Sequence, residues 1–224
     1  MEKRLLLDID YSKASPVLIE LILEEASEPA LFEEIAQANM QRPEILHILM
    51  HHPGTPHEVR EPIAGILRLP VKPKTEIAEV RKTPEERSQT ILQRIQRLSV
   101  SERIQLAFKG GKEIRTILLR DPNKEVSLTV LDNPKLTDTE VELVAKSRSI
   151  PDEALRKIAK KKEWMKNYHI IMALVTNPKT PAGISIPLVS DIKTKDLALL
   201  GKNKNVSEGV RSIAKKIFRA RQAH

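Results

Sequence analysis

Four of the six histidines fall close together, at His47, His51, His52 and His57. His47 and His51 are four residues apart, the spacing that puts two imidazoles on one helix face as metal-binding pairs need. Ile48, Leu49 and Met50 between them supply no glutamate, so the metalloprotease pattern is missing. Glu44 and Glu58 lie nearby at no diagnostic spacing. The pair reads as a polar helix face ending at a His52-Pro53 turn, and no metal or cofactor is expected.

Basic stripes are the other constellation with chemistry in it. On a helix starting at Pro151, Arg156/Lys160 and Lys157/Lys161 are four apart, with Lys162 and Lys166 following. Near the C-terminus Arg211, Lys215 and Arg219 form one stripe, and Lys193, Lys195, Lys202 and Lys204 lie between. Aligned in a groove, such stripes track a phosphate backbone or an acidic protein surface. Base stacking also needs exposed aromatics. Here only Trp164, Tyr168 and His169 are at hand, with Trp164 and Tyr168 four apart and expected in the core.

Catalysis finds little footing. Lys109-Gly110-Gly111-Lys112 lacks the spacing of a phosphate loop and a following Ser or Thr, so its glycines are expected to end one helix and open the next. A helical-repeat DNA glycosylase needs a lone Asp in a basic groove, for which Asp121, Asp132, Asp152, Asp191 and Asp196 are the candidates. Most stand at turns or helix starts, where a carboxylate caps backbone N–H groups. Aromatics make up 3% of the chain, which removes the usual means of gripping an extruded base. No enzyme is expected.

The elements that would carry these residues are helices punctuated by proline. Of 15 Pro, many open an amphipathic run: Ser15-Pro16, Glu28-Pro29, Arg42-Pro43, Thr55-Pro56, Thr83-Pro84, Ile150-Pro151 and Thr180-Pro181. Proline suits a first helical turn because its missing N–H has no intrahelical partner there. A Ser or Thr just before it can cap the helix. Val17, Leu18, Leu21 and Ile22 line one face of the first helix. Ile91, Leu92, Ile95 and Leu98 do so for another, and Val206, Val210, Ile213, Ala214, Ile217 and Phe218 for the last. No alternating strand or hairpin turn stands out, so the fold is expected to be all-α.

A degenerate repeat lies beneath: Thr55-Pro-His-Glu-Val59, Thr137-Asp-Thr-Glu-Val141, Pro151-Asp-Glu-Ala-Leu155, Thr180-Pro-Ala-Gly-Ile184 and Val206-Ser-Glu-Gly-Val210. The last four start 14, 29 and 26 residues apart, or one helix pair per 26–29 residues. His52-Pro53, Asn133-Pro134 and Asn177-Pro178 precede three of the copies, and Asp121-Pro122 marks a looser one. Short helices at such a period predict an α-solenoid, each unit burying its apolar face against its neighbours.

The stretches Asp121–Val126, Asn177–Pro181 and Asn203–Arg211 resemble bacterial leucine-rich-repeat-variant and HEAT-like arrays, over about residues 100–220 and more loosely 28–68. The resemblance implies a right-handed solenoid of short stacked helices that binds other macromolecules, with no catalytic motif. The spacing here is less even than in regular arrays.

Composition sets the outer limits. The 224 residues are 40% apolar and 30% charged, with no cysteine, which excludes disulfides and thiolate chemistry. Asp8 breaks the N-terminal apolar run at once, and Ile170–Val175 is too short to span a bilayer, so a cytoplasmic protein with no membrane contact is expected. Residues 1–82 carry a net −4 and residues 83–224 a net +12, pointing to an anionic partner or to contact between the two parts. Residues 69–82 are Pro- and charge-rich and read as a linker between a helical segment, 1–68, and a repeat array, 83–224. The functional expectation is a scaffold binding an acidic protein surface through Arg156, Lys160, Arg211, Lys215 and Arg219. Nucleic acid held in a basic groove is the alternative.

Overall fold

The computed structural model describes residues 9–24, 26, 28–69 and 84–222. Among them the chain is all-helical, with fourteen α-helices, two short 3-10 turns and no strand. The expected linker (but for Leu69), the N-terminal run before Asp8 and the Thr83 cap lie outside the described residues. The chain forms two compact units, Met1–Ile117 and Leu118–His224.

In the first unit, α1 (Pro16–Leu23), α2 (Pro29–Ala38), α3 (Pro43–His51) and α4 (His57–Leu67) follow one another. They are succeeded by α5 (Pro84–Ile95), α6 (Val100–Lys109) and α7 (Lys112–Leu118). Proline supplies the first turn of α1, α2 and α3, and Ser15 Oγ caps α1 by accepting the Leu18 N–H at 3.3 Å. Thr55 departs from the capping expectation. Its hydroxyl donates back to the Leu49 carbonyl at 2.7 Å, closing the end of α3. Leu18, Ile19, Leu21, Ile22 and Leu23 are all buried, because α1 packs against both α3 and α6. Arg94 of α5 grips Glu20 at 2.7 Å and also Glu24, and Glu102 of α6 accepts the Ser15 N–H at 3.3 Å. Helices from either side of residues 69–82 thus share this unit. Leu92 leaves the apolar face expected of it and is exposed, while Ile91, Ile95 and Leu98 are buried.

The second unit holds α8 (Lys124–Val130), α9 (Asp138–Lys146), α10 (Asp152–Lys160) and α11 (Tyr168–Thr176). After these come α12 (Ala182–Leu188), α13 (Thr194–Leu200) and α14 (Glu208–Gln222). Two apolar clusters fill it, and α11 feeds both. Ile170, Ala173 and Leu174 enter the cluster of Leu131, Val141, Leu155 and Trp164. Ile171 and Val175 enter that of Val189, Leu197, Val210 and Ala214. A helix buried on opposite sides has no polar face to keep, which explains the unbroken apolar run Ile170–Val175.

One turn recurs between helices. An Asn or Asp side chain accepts the N–H two residues on, as at Asp121, Asn133, Asn177 and Asn203, with distances of 2.8 to 3.0 Å. After Asp121, Asn133 and Asn177 the next residue is proline, which fixes φ and leaves the acceptor undisturbed, whereas Lys204 follows Asn203. Side-chain hydrogen bonds that tie helices together also recur, at sequence separations of 25 to 32 residues.

Candidate interaction surface

The basic residues of the second unit divide into those spent on the fold and those left to solvent. Lys157 Nζ donates to the Leu128 carbonyl at 2.8 Å and to Asp132 at 2.5 Å, and Lys161 Nζ donates to the Leu131 carbonyl at 2.6 Å. These carbonyls lie at the C-terminal end of α8, which carries partial negative charge. Lys161 also lies 4.2 Å above the Trp164 ring, and burial pushes its amine below the usual lysine range. Arg221 serves likewise, donating to the Ser190 and Ile192 carbonyls, both at 2.7 Å. Two of the expected i,i+4 partners on α10 are therefore structural cations.

Arg156 pairs with Asp152 at 3.3 Å along α10, and half-buried Arg211 pairs with Glu208 along α14. Local pairs of this kind contribute about 0.3–0.5 kcal/mol and are easily exchanged. Lys160 on α10, and Lys215 and Arg219 four apart on α14, are exposed and form no ion pair among the described residues. Lys202 and Lys204, in the turn between α13 and α14, are exposed as well. Lys215 lies close over that turn: a Cβ added at Gly201 would stand 2.9 Å from its Cγ. Glycine is there to admit the lysine stem.

The aromatics are committed to the fold. Trp164 is 7% exposed and sits in a 3-10 turn, Trp164–Lys166, while Tyr168 is the first residue of α11. They do not share a helix face as their spacing suggested, and they pack in different clusters. The Tyr168 hydroxyl donates to Asp196 at 2.5 Å and accepts the Lys193 N–H at 3.3 Å, and the Lys193 amine lies 4.5 Å from the ring. Burial, with the Asp196 hydrogen bond second, pushes the Tyr168 phenol up. Only His169 is exposed.

The remaining candidates have structural duties. His47 and His51 stack with ring centroids 6.2 Å apart, and His51 Nδ1 is hydrogen-bonded to the His47 carbonyl at 2.8 Å. Both border an open cleft of about 420 Å³ in the first unit, together with Glu20, Ile48, His52 and Pro53. Glu20 is already held by Arg94. Among the described residues no cluster of three or more His, Asp or Glu is placed to hold a metal ion.

Gly110 ends α6 as expected of it, yet with φ at −62° its reason is space. A Cβ there would lie 2.6 Å from Ile114 Cγ2 and from the Leu106 carbonyl. Of the aspartates, Asp121 holds its turn, Asp132 binds Lys157, Asp152 binds Arg156, Asp196 takes the Tyr168 hydroxyl, and Asp191 is exposed. Among the described residues no helix is long and apolar enough to cross a membrane.

Sequence reasoning passed over two features. Asn177 is buried and donates to the Ala145 and Ser147 carbonyls at 2.7 and 3.0 Å. Leu199 is 70% exposed among lysines, and its place between inward-facing Leu197 and Leu200 was the available signal. No protein-family model, curated protein or solved structure matches this chain.

Proposed function

We propose that this chain is a non-enzymatic helical-repeat scaffold, its second unit stacked as a short solenoid, that holds the acidic surface of a partner protein. The single observation that carries the reading is the division of the cations: Lys157, Lys161 and Arg221 are consumed by helix ends, whereas Lys160, Lys215 and Arg219 are exposed without an acid. Cross-helix hydrogen bonds at separations of 25 to 32 residues support stacking of equivalent elements. A protein partner is favoured over nucleic acid because Trp164 is buried and Lys193 lies over the Tyr168 ring, which leaves little aromatic surface on which bases stack.

The test is a pull-down from lysate with purified protein, with and without nuclease, comparing the native chain with the double variant Lys215→Glu, Arg219→Glu. Nuclease-resistant recovery of an acidic protein that the variant fails to retain is the expected result. Recovery that vanishes with nuclease overturns the reading and assigns the cations to a phosphate backbone.

A further inference from the structure

The exposed edge of α13 combines charge with an apolar group. Lys195, Leu199 and Lys202 follow at i, i+4 and i+7, and all three are exposed. Gly201 remains helical, with φ −62° and ψ −20°, and the Lys202 N–H reaches the Leu199 carbonyl at 3.1 Å. The helical turn therefore continues far enough to keep Lys202 on the face of Leu199. Leu199 is 70% exposed, more than any other large apolar side chain among the described residues. Lys215 adds a third cation, its stem lying over Gly201.

Two of the three acids nearest this edge in sequence are engaged elsewhere. Asp196, the sole carboxylate of α13, takes the Tyr168 hydroxyl at 2.5 Å, and Glu208 takes Arg211. Asp191, on the preceding 3-10 turn, makes no ion pair among the described residues. Leu143 of α9 provides a contrast. It stands at the same place after its helix cap and is 63% exposed, but its neighbours Glu142 and Lys146 neutralise each other at 2.5 Å.

We infer that the Lys195–Leu199–Lys202 edge, with Lys215 beside it, docks an extended acidic segment of a partner protein. An aliphatic side chain of that segment lies on Leu199, between two carboxylates that meet the lysines. The spacing argues for this occupant. Successive side chains on one helix face lie about 5–6 Å apart. Alternate side chains of an extended chain lie roughly 6–7 Å apart, so acid-x-aliphatic-x-acid matches cation, leucine and cation in register. A nucleic-acid backbone would satisfy the lysines and leave Leu199 in water. The inference rests on the protein-binding reading of the second unit and adds the recognised pattern to it.

The experiment is an amide NMR titration of the isotope-labelled full chain with four probes. These are a short peptide containing Glu-Ser-Leu-Ser-Glu, a scrambled peptide of the same composition, oligoglutamate and oligothymidylate. The alternating peptide should shift amides around 195–202 and bind about fivefold tighter than the scramble, as partial burial of one leucine implies. Leu199→Ser should erase that difference, and Leu143→Ser should leave it intact. Equal binding of the alternating and scrambled peptides overturns the inference while leaving the acidic-partner reading in place. A shift of the same amides by oligothymidylate alone overturns both.

Discussion

The turn His52-Pro-Gly-Thr-Pro56 in the first unit and the turn Asn177-Pro-Lys-Thr-Pro181 in the second follow one backbone plan. In each, the carbonyl of the first residue accepts the threonine N–H, at 3.2 and 3.0 Å. In each, its side chain also accepts the N–H two residues on, at 3.2 Å to His52 Nδ1 and 3.0 Å to Asn177 Oδ1. The difference lies in what the side chains do next. Asn177 has an amide left over and uses it on two carbonyls some 30 residues earlier in the chain. His52 packs instead against the Phe32 ring, 5.4 Å between centroids. The threonines differ as well: Thr55 Oγ1 finds the Leu49 carbonyl, whereas buried Thr180 Oγ1 has no hydrogen-bond partner among the described residues. Local sequence makes the turn, and the second functional group of its first residue decides whether the turn is bolted to a neighbouring helix.

The largest effect should follow from breaking the bolt. Asn177→Ala removes the turn acceptor and leaves two carbonyls short of a donor. It should destabilise the second unit by about 3 kcal/mol, read in urea by the fluorescence of Trp164, the only tryptophan. His52→Ala, lacking such ties, should cost clearly less. Equal losses at the two sites would abolish the distinction.

The threonines sharpen it by sign. Thr55→Val should destabilise by about 1 kcal/mol, since the Leu49 carbonyl loses its hydroxyl donor. Thr180→Val removes an unsatisfied buried hydroxyl and should be neutral or stabilising by up to about 1 kcal/mol. Paired denaturation curves check this, and two losses of similar size would refute it.

A smaller effect separates the turns by pH. Burial holds the His52 imidazole below its ordinary 6.5, with Arg60 acting in the same direction against the opposing charge of Glu24. Its Nδ1 must also stay bare to accept the Gly54 N–H. The folded state therefore binds the proton less readily than the unfolded one, and stability is lost as pH falls below about 6.5. Protection of the Gly54 amide, its exchange measured against the intrinsic rate at the same pH, should fall on acidification, and His52→Asn should make that protection indifferent to pH over that range. The Asn177 turn should show no such dependence.

The smallest expected effect lies at the surface. Glu153 is held down to about 2, chiefly by its hydrogen bond from Lys124, with backbone contacts adding to it. Its carboxyl carbon should titrate near that value by NMR and move up toward 4.5 in Lys124→Ala. Any stability that the pair adds is present above pH 4.5 and fades as pH falls toward 2. An unchanged midpoint in the variant would remove Lys124 as the cause.

Helix starts were legible because proline acts through its own backbone and a capping hydroxyl through an N–H three residues on, as Pro16, Pro29, Pro43 and Thr137 show. The candidate surface was legible only in outline. Spacing placed Arg156, Lys157, Lys160 and Lys161 in two equivalent stripes, and nothing local separates the members. Their fates diverge because Lys157 and Lys161 face the end of α8, about 30 residues back, while Lys160 faces water. Leu92 and Leu199 carried the same ambiguity, since periodicity marks a residue as apolar without showing whether a neighbour covers it.

By itself the sequence determined the all-helical class, the proline-opened helices and the recurrent Asx turns, all set by torsional restriction and hydrogen bonds spanning a few residues. The tertiary structure alone decided which cations were consumed, which leucine was left bare and that α11 is buried between two clusters. Those outcomes depend on which surfaces meet across 25 to 32 residues of chain. The free energy of burying a group is fixed by the neighbour that covers it, and no local pattern of residues encodes that neighbour.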